Sequence, residues 1–276
     1  MDRTTAEQCL VRLRCNFGSL STKEKAIAAF ILENPSAIKG LSIHKLAALL
    51  DVSLGTIVNF CKGLGFSGYR ELRRAFFFLP AEYQDLTLKY GPDLEPMDLA
   101  EQVWTHALQT LQDTLLVLDR EAFNRAARAL AASKRISFFA RDGSARLAEN
   151  AARKFIRWGH SVLAYREFDQ QKRAASSLGK DSTAIGISYS GKTKEVVECL
   201  QIAKEQGAFT IVITSCELSP AAQIGDAVLL GAVRGPEMFG ENEFAKLAHV
   251  VILDALYFYC IREQIGASHV LTQMRS

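Results

Sequence analysis

The chain has 276 residues, of which 49% are hydrophobic and 23% charged, so it can build a buried core and is not a disordered protein. Its net charge of +3 is unevenly distributed. Residues 1–79 hold 11 Lys/Arg and 6 Asp/Glu, a net charge of +5, whereas residues 80–276 hold 22 and 24, a net charge of −2. A basic module beside a larger, mildly acidic one is typical of a DNA-binding domain joined to a ligand-binding domain, although a chance asymmetry of the surface stays open.

The six cysteines lie in apolar stretches, and none belongs to a C-x-x-C pair or has a histidine at zinc-ligand spacing. We interpret them as reduced core thiols of a cytoplasmic protein, and we expect neither a metal nor a cofactor. The chain shows no secretory signal pattern and no apolar run of 18 residues, which predicts no membrane association.

The first part of the chain has the pattern of successive helices. Ser42 caps a short helix ending at Leu50, and Ser53 caps a second one closed by Gly65. Two short helices joined by about three residues form a helix-turn-helix outline, although an ordinary helical hairpin has the same rhythm. The residues predicted to face away from the core, toward a DNA groove, are Ser53, Leu54, Gly55, Thr56, Asn59 and Lys62.

A stretch that contains three of the six prolines, residues 80–98, predicts a linker between a domain at 1–79 and a second domain at 99–276. In the second domain, short apolar runs at 135–140, 161–164, 183–188, 209–214 and 227–230 alternate with helical patterns. This alternation predicts a three-layer α/β domain with a central parallel sheet. The last helix, 243–261, is apolar nearly all round and must be buried in this domain or against a second copy.

Two predicted turns from strand to helix carry the candidate ligand site. The loop from Ser188 to Thr193 reads S-Y-S-G-K-T, and its backbone amides and the hydroxyls of Ser188, Ser190 and Thr193 would form a cradle for a phosphate. Ser144, in the turn after the first strand, offers a second group of the same kind. Simple helix capping by these serines is the alternative.

Residues 186–193 also satisfy G-x-x-x-x-G-K-[ST], the pattern of a P-loop that binds nucleotides. That loop requires its first glycine to leave the strand. Gly186 lies between Ile185 and Ile187, so we expect the strand to continue past it and leave too few residues to surround a triphosphate. A P-loop NTPase therefore stays only as an alternative.

The whole chain resembles the RpiR family of bacterial regulators, which join a helix-turn-helix domain to a sugar isomerase (SIS) domain. In the first domain the resemblance rests on segments such as Leu64-Gly65-Phe66-Ser67-Gly68-Tyr69, and in the second on the Ser188–Thr193 loop, which is similar to the family's S-x-S-G-x-T motif. The resemblance implies a homo-oligomer, dimer or tetramer, that binds a double-stranded DNA operator. It also implies that a phosphorylated sugar, held by Ser144, Ser188, Ser190, Gly191 and Thr193, controls the affinity for DNA.

The chain departs from the family pattern at three places. Asn59 stands where arginine is common in the recognition helix, and the first SIS loop is Ala140-Arg141-Asp142-Gly143-Ser144 instead of G-x-G-x-S. Lys246 and His249 stand where arginine and glutamine are frequent. The operator sequence and the identity of the sugar are therefore open.

A sugar-phosphate isomerase is the alternative function, because SIS domains also occur in enzymes. Isomerisation needs a positioned base, and the candidates are Glu149, Glu243 and His249, each in a helix where a solvated or capping role is common. A basic helical domain has no use in an isomerase, so we predict binding without catalysis and no catalytic residue.

Overall fold

The computed structural model describes residues 3–77, 79, 94–157, 159–234 and 242–273, and side chains between residues 6 and 265. Most of the predicted linker, residues 80–93, lies outside this part of the chain. Contacts divide the described residues into two units. The first contains the chain up to Val117 and the segment 232–234; the second contains residues 118–231 and 242–273.

The regular structure described in the first unit is helical, as predicted. Its α-helices are α1 (Arg3–Asn16), α2 (Thr22–Glu33), α3 (Ile43–Leu50), α4 (Leu54–Gly63), α5 (Tyr69–Phe76) and α6 (Pro96–Val117). A capping box starts α2, where the amide of Ser21 donates to Oε2 of Glu24 at 2.9 Å. Fully buried side chains from α1, α2 and α5, such as Leu10, Ile27 and Leu72, form its core.

Helix α6 belongs to the first unit, whereas the sequence assigned residues 99–117 to the second domain. It begins at Pro96, inside the predicted linker, and packs on α1. Nε2 of Gln8 donates to the carbonyl of Leu116 at 2.9 Å across this contact. The apolar periodicity of residues 99–117 is that of an amphipathic helix, but it does not specify the partner of this helix, because any apolar surface can cover such a face.

The second unit is the predicted three-layer α/β domain. Its strands are β1 (Arg135–Ala140), β2 (Ser161–Ala164), β3 (Ser182–Ile187), β4 (Phe209–Thr214) and β5 (Ala227–Leu230). Its helices are α7 (Arg120–Ala132), α8 (Asp142–Arg157), α9 (Phe168–Ser176), α10 (Lys194–Glu205), α11 (Pro220–Ile224) and α12 (Glu243–Gln273). The five strands are all parallel, in the order β2-β1-β3-β4-β5.

The two faces of the sheet have separate apolar clusters, because successive residues of a strand point to opposite sides. Ile185 and Ile187 of β3 belong to the cluster that includes residues of α7, α8 and α12. Ala184 belongs to the other cluster, with residues of α9 and α10.

Residues Glu243–Ile265 of α12 form a helical segment that is long and apolar enough to cross a membrane, judged by length and composition only. One side of this helix is part of the protein core: Ile252, Leu253, Leu256 and Cys260 are buried in the cluster on the sheet, and α12 contacts α7 and α8. A core helix of an α/β domain accounts for this composition.

All six cysteines are buried and none of them forms a disulfide, as predicted for core thiols. Burial raises the pKa of Cys9 and of Cys61 to about 12. Thiols of this kind remain protonated at neutral pH and are poor nucleophiles.

Candidate functional site

The first candidate surface is the outer face of α4. Helices α3 and α4 are joined by residues 51–53 and cross at 105°, which is the geometry of a DNA-binding helix-turn-helix. Ser53 caps α4, because its Oγ accepts from the amide of Thr56 at 3.1 Å. Ile57 and Phe60 point into the core.

The predicted DNA-binding residues lie on the opposite side of α4. Five of them are exposed, namely Ser53, Leu54, Gly55, Asn59 and Lys62. The sixth, Thr56, is half-buried. Helix α5, which no sequence pattern singled out, adds three exposed arginines, Arg70, Arg73 and Arg74. These would supply the positive charge that a phosphate backbone attracts.

The second candidate site lies at the carboxyl edge of the sheet, where β1 and β3 end. The strands run side by side, with Ala140 opposite Ile187. In the sheet, β2 lies on one side of β1, and β3, followed by β4 and β5, lies on its other side. The direction in which the chain adds strands therefore reverses between β1 and β3. Ligands of open α/β sheets bind at such a switch point. Ser144 follows β1 and the Ser188–Thr193 loop follows β3, so the topology brings the predicted residues to this one edge.

The Ser188–Thr193 loop divides its hydroxyl groups between internal and outward roles. Ser188 is buried, accepts from the amide of Gly191 at 3.0 Å, and lies 2.9 Å from Oγ1 of Thr193. Ser190 is exposed, and its Oγ accepts from the amide of Lys192 at 3.2 Å. This geometry suits Ser188 to hold the loop in shape, and it leaves Ser190 and the half-buried Thr193 accessible to a ligand.

Gly191 fixes the loop against the chain that follows β4. Its φ of +63° is strained for any other residue, and an added Cβ would lie 2.0 Å from Oγ of Ser219. Its carbonyl accepts from the amide of Ala221 at 3.0 Å. Thr214 and Ser219, which the sequence analysis did not identify, are therefore supporting residues; Oγ1 of Thr214 donates to the carbonyl of Tyr189 at 3.2 Å.

The geometry of Gly186 argues against the nucleotide-binding P-loop. This glycine lies within β3, as expected, and pairs with Val212 of β4. An added Cβ would lie 2.5 Å from Cδ1 of Leu200, so the glycine allows α10 to pack closely on the strand. The chain therefore does not leave the strand where a P-loop must begin.

A cleft of about 900 Å³ adjoins the turn after β1. Ser144 lies half-buried in the first turn of α8, and Asp142, at the start of that helix, has a φ of +48°. The cleft is lined by this turn, by residues 166 and 167 and by the start of α12: Arg141, Asp142, Gly143, Ala145, Arg146, Leu147, Arg166, Glu167, Glu243, Lys246, Leu247 and Val250. Neither Ser144 nor the Ser188–Thr193 loop lines it, so the cleft and the serine loop are separate features of this edge.

Paired charges surround the cleft. Nη2 of Arg166 donates to Oε2 of Glu149 at 2.9 Å, and Nζ of Lys246 donates to Oε1 of Glu243 at 2.8 Å. Arg141 lies 3.9 Å from Glu195, the second residue of α10, and thereby links the turn after β1 to the helix that follows the serine loop. Such pairs can exchange partners with a charged or hydroxylated ligand.

The three candidate bases are poorly suited to proton abstraction. The hydrogen bond from Arg166 lowers the pKa of Glu149, which keeps this carboxylate ionised and weakly basic. Glu243 is engaged by Lys246. His249 is 1% exposed, and burial lowers its pKa to about 4; its Nε2 lies 3.2 Å from Oγ of Ser215.

Comparisons with known proteins agree with both halves of this architecture. The model of the rpiR-family helix-turn-helix domain matches residues 7–78, and the SIS domain model matches residues 129–239. An uncharacterised HTH-type transcriptional regulator of Caldanaerobacter subterraneus is 34% identical over 242 residues, which cover 87% of this chain and 85% of that protein. The transcriptional regulator HexR of Pseudomonas aeruginosa is 30% identical over 215 residues, covering 78% and 75% of the two chains.

Among solved structures, Vibrio vulnificus NanR complexed with ManNAc-6P matches with a TM-score of 0.56 and 24% identity, covering 97% of this chain and 100% of that one. At this identity the likeness concerns the fold. A helix-turn-helix domain followed by an SIS domain defines a class of DNA-binding transcriptional regulators. The chain belongs to the RpiR family of these regulators.

Proposed function

We propose that this protein binds an operator in double-stranded DNA through α4, and that a phosphorylated sugar bound at the carboxyl edge of the sheet controls this binding. The observation that carries the proposal is the position of the Ser188–Thr193 loop. It follows β3 at the switch point of the sheet, is held in shape from within by Ser188, and leaves Ser190 and Thr193 accessible.

The DNA-binding part of the proposal is supported by the exposed residues of α4. Asn59 would read a base, because an asparagine amide pairs in bidentate fashion with adenine. Lys62 and the hydroxyl groups of Ser53 and Thr56 would contact phosphates. The basic net charge of residues 1–79 supplies the long-range attraction.

The effector part of the proposal is supported by the chemical groups of the serine loop and by the shared fold of a solved structure. Hydroxyl groups and amides at a helix start hold phosphate, and we assign this role to Ser144, Ser190, Gly191 and Thr193, with Ser188 as their support. NanR of Vibrio vulnificus, which shares the fold, was solved with ManNAc-6P. We place the rest of the sugar toward the cleft, where Asp142 would accept hydrogen bonds from sugar hydroxyls.

The environments of the three candidate bases support a protein that binds a sugar phosphate without converting it. An isomerase base must be close to the reacting carbon and have a pKa near the working pH. His249 is buried, Glu149 is held ionised by Arg166, and Glu243 is engaged by Lys246. We therefore propose a cytoplasmic, membrane-independent regulator that needs no metal and no cofactor.

We further propose a homo-oligomer, dimer or tetramer, held by the part of α12 that the core does not cover. Leu247, Val251, Phe258 and Ile265 are exposed at spacings of four, seven and seven residues and form one stripe. Two copies would place two α4 helices on half-sites about 34–36 Å apart. The oligomer would have two arrangements of its α4 helices. The effector would bind one arrangement of the oligomer more tightly than the other and thereby change the affinity for DNA.

The test uses a DNA fragment that the full-length protein selects from a genomic library. Its affinity is measured without and with each member of a panel of sugar phosphates, and the unphosphorylated sugars serve as controls. We expect one sugar phosphate to change the dissociation constant for DNA at least fivefold, the lower end of ordinary coupling energies. If no sugar phosphate changes this constant, or if one of them is turned over, the proposed function is wrong.

A further inference from the structure

Gly55 lies at the centre of the outer face of α4. By the helical repeat of 3.6 residues, Gly55, Asn59 and Lys62 follow one another along one line of the helix surface. All three are exposed. Ile57 and Phe60 are buried on the opposite side of the helix. This line is therefore the part of α4 that comes nearest to the bases when the helix enters a groove.

Within the described part of the chain, neither packing nor backbone conformation requires a glycine at position 55. Gly55 lies inside α4 and has no positive φ. An added Cβ would meet nothing closer than Oγ of Ser53, at 3.8 Å, which is an ordinary contact. Gly186 and Gly191 differ, because a Cβ at either of them would collide with a neighbour. Since alanine favours a helix over glycine, the fold gives no reason for the glycine.

The open space at Gly55 is bounded by fixed side chains. The hydroxyl oxygens of Ser53 and Thr56, which flank it, are 2.8 Å apart, and Oγ of Ser53 accepts from the amide of Thr56 at 3.1 Å. Both side chains are thereby held against the start of the helix. Asn59 follows one turn after Gly55, and side chains of a helix lean toward its N-terminus. The side chain of Asn59 therefore leans toward the open space.

The short side chain of asparagine limits how Asn59 can read a base. Its amide is attached directly to Cβ, so the amide reaches a base edge only when the backbone of α4 comes close to that base. A bidentate pair with adenine requires hydrogen bonds to both N6 and N7. A Cβ at position 55 would lie on the same line one turn earlier and would hold the helix away from the base. Gly55 removes this obstacle.

We propose that Gly55 is a positioning residue for DNA recognition, because it lets α4 enter the major groove deeply enough for the amide of Asn59 to pair with an adenine. This role rests on the proposed binding of an operator by α4 and is independent of the effector. Gly55 sets the distance between helix and base, and Asn59 supplies the hydrogen bonds. Lys62, at the other end of the line, adds affinity through phosphate without sequence preference.

The test uses 7-deazaadenine, which lacks the N7 acceptor, in place of one operator adenine at a time. The operator is the DNA fragment that the full-length wild type selects, and fluorescence anisotropy gives each dissociation constant. At one or more adenines, we expect the substitution to weaken binding by the wild type about fivefold, because one hydrogen bond is lost. Gly55→Ala should bind the unmodified operator at least about fivefold more weakly than the wild type. 7-Deazaadenine at the same position should weaken this variant no further.

Gly63→Ala is the matched control. Gly63 ends the same helix, and an added Cβ there meets nothing within 4 Å. It lies far from the N-terminal turns by which a recognition helix contacts bases, so Gly63→Ala should bind both forms of the operator like the wild type. Gly55→Ala should melt no lower than the wild type, because alanine favours the helix. Thermal unfolding thus separates a loss of recognition from a loss of folding.

Gly55 has no positioning role if Gly55→Ala binds the operator like the wild type or remains sensitive to 7-deazaadenine. The same holds if this variant loses affinity for random DNA by the same factor as for the operator, or if no operator adenine is sensitive in the wild type. The proposed function stands in each of these cases, since the response of operator binding to sugar phosphates tests it separately.

Discussion

Arg234 donates from Nε to Oδ2 of Asp113 at 2.6 Å, and the two side chains are only 5% and 3% exposed. Nη1 of Arg14 lies 3.8 Å from the same carboxylate oxygen, and Gln109 donates to Oδ1 at 3.1 Å. Arg234 lies four residues after the end of β5, and Arg14 belongs to α1. The carboxylate of Asp113 on α6 therefore holds Arg234, and with it the segment 232–234, within the first unit.

Removing this carboxylate should strongly destabilise the protein. Asp113→Ala removes the carboxylate that pairs with the buried guanidinium of Arg234, and the loss of one partner of a buried ion pair costs about 3–5 kcal/mol in the free energy of unfolding. Chemical denaturation measures this loss. Gln112→Ala, at the neighbouring exposed position, is the control and should change the free energy by less than about 0.5 kcal/mol. Equal stability of the two variants would show that Asp113 does not hold Arg234 in solution.

A methyl group at Gly191 should disrupt the serine loop. Gly191→Ala combines a positive φ with a contact of 2.0 Å to Ser219, and we expect a loss of about 2–4 kcal/mol in stability, or a displaced loop. Gly179→Ala is the matched control, since an added Cβ there meets nothing within 4 Å. Thermal unfolding compares the two variants. If Gly191→Ala is as stable as Gly179→Ala and binds effector normally, the loop geometry described above is wrong.

His249 should make the stability fall in mild acid. Burial lowers its pKa in the folded protein from 6.5 to about 4. Between these values the unfolded chain binds a proton that the folded chain does not, so the free energy of unfolding falls by about 1.4 kcal/mol per pH unit as the pH decreases.

Denaturation at pH 7 and at pH 4.5 tests this with His249→Gln, which removes the titrating group. The variant should lose less stability than the wild type over this range, by about 2 kcal/mol or more. His44→Gln, at an exposed position of α3, should behave like the wild type. If His249→Gln and the wild type lose stability in parallel, His249 is not the group whose protonation destabilises the folded protein.

Lys62 should contribute to DNA binding through the phosphates. Lys62→Ala is expected to weaken the binding of every DNA sequence and to reduce the slope of log K against log salt by about 0.9. Lys23→Ala, an exposed lysine at the start of α2, is the control and should leave the slope unchanged. Fluorescence anisotropy at several salt concentrations gives both values, and an unchanged slope for Lys62→Ala would remove this residue from the interface.

Features that depend on local sequence were predictable. The five strands lie within one residue of the predicted ranges, because buried parallel strands read as short apolar runs. The caps of α3 and α4 by Ser42 and Ser53 follow from hydroxyl groups at helix starts. The continuation of β3 through Gly186 was visible from its apolar neighbours.

Features that depend on distant partners were not predictable. Nothing near Asp113 indicates that Arg234 will neutralise it, because 121 residues separate the two in sequence. The positive φ of Gly191 and its close contact with Ser219 likewise depend on the turn after another strand. The cleft joins Arg166 to Lys246 across the same unit, so its lining emerges only once the sheet is assembled.

A thermal-shift comparison of the wild type with Ser190→Ala, using sugar phosphates and ATP with magnesium as ligands, tests whether the serine loop is the effector site. Ser176→Ala, at an exposed serine of α9, is the control variant. A ligand at about 100 times its Kd adds roughly 2.7 kcal/mol of stability, which raises the melting temperature by several degrees. We predict this shift for a sugar phosphate with the wild type and Ser176→Ala, and a much smaller one with Ser190→Ala. A shift with ATP and magnesium alone, or an equal sugar-phosphate shift in Ser190→Ala, would contradict the assignment of the serine loop as the effector site.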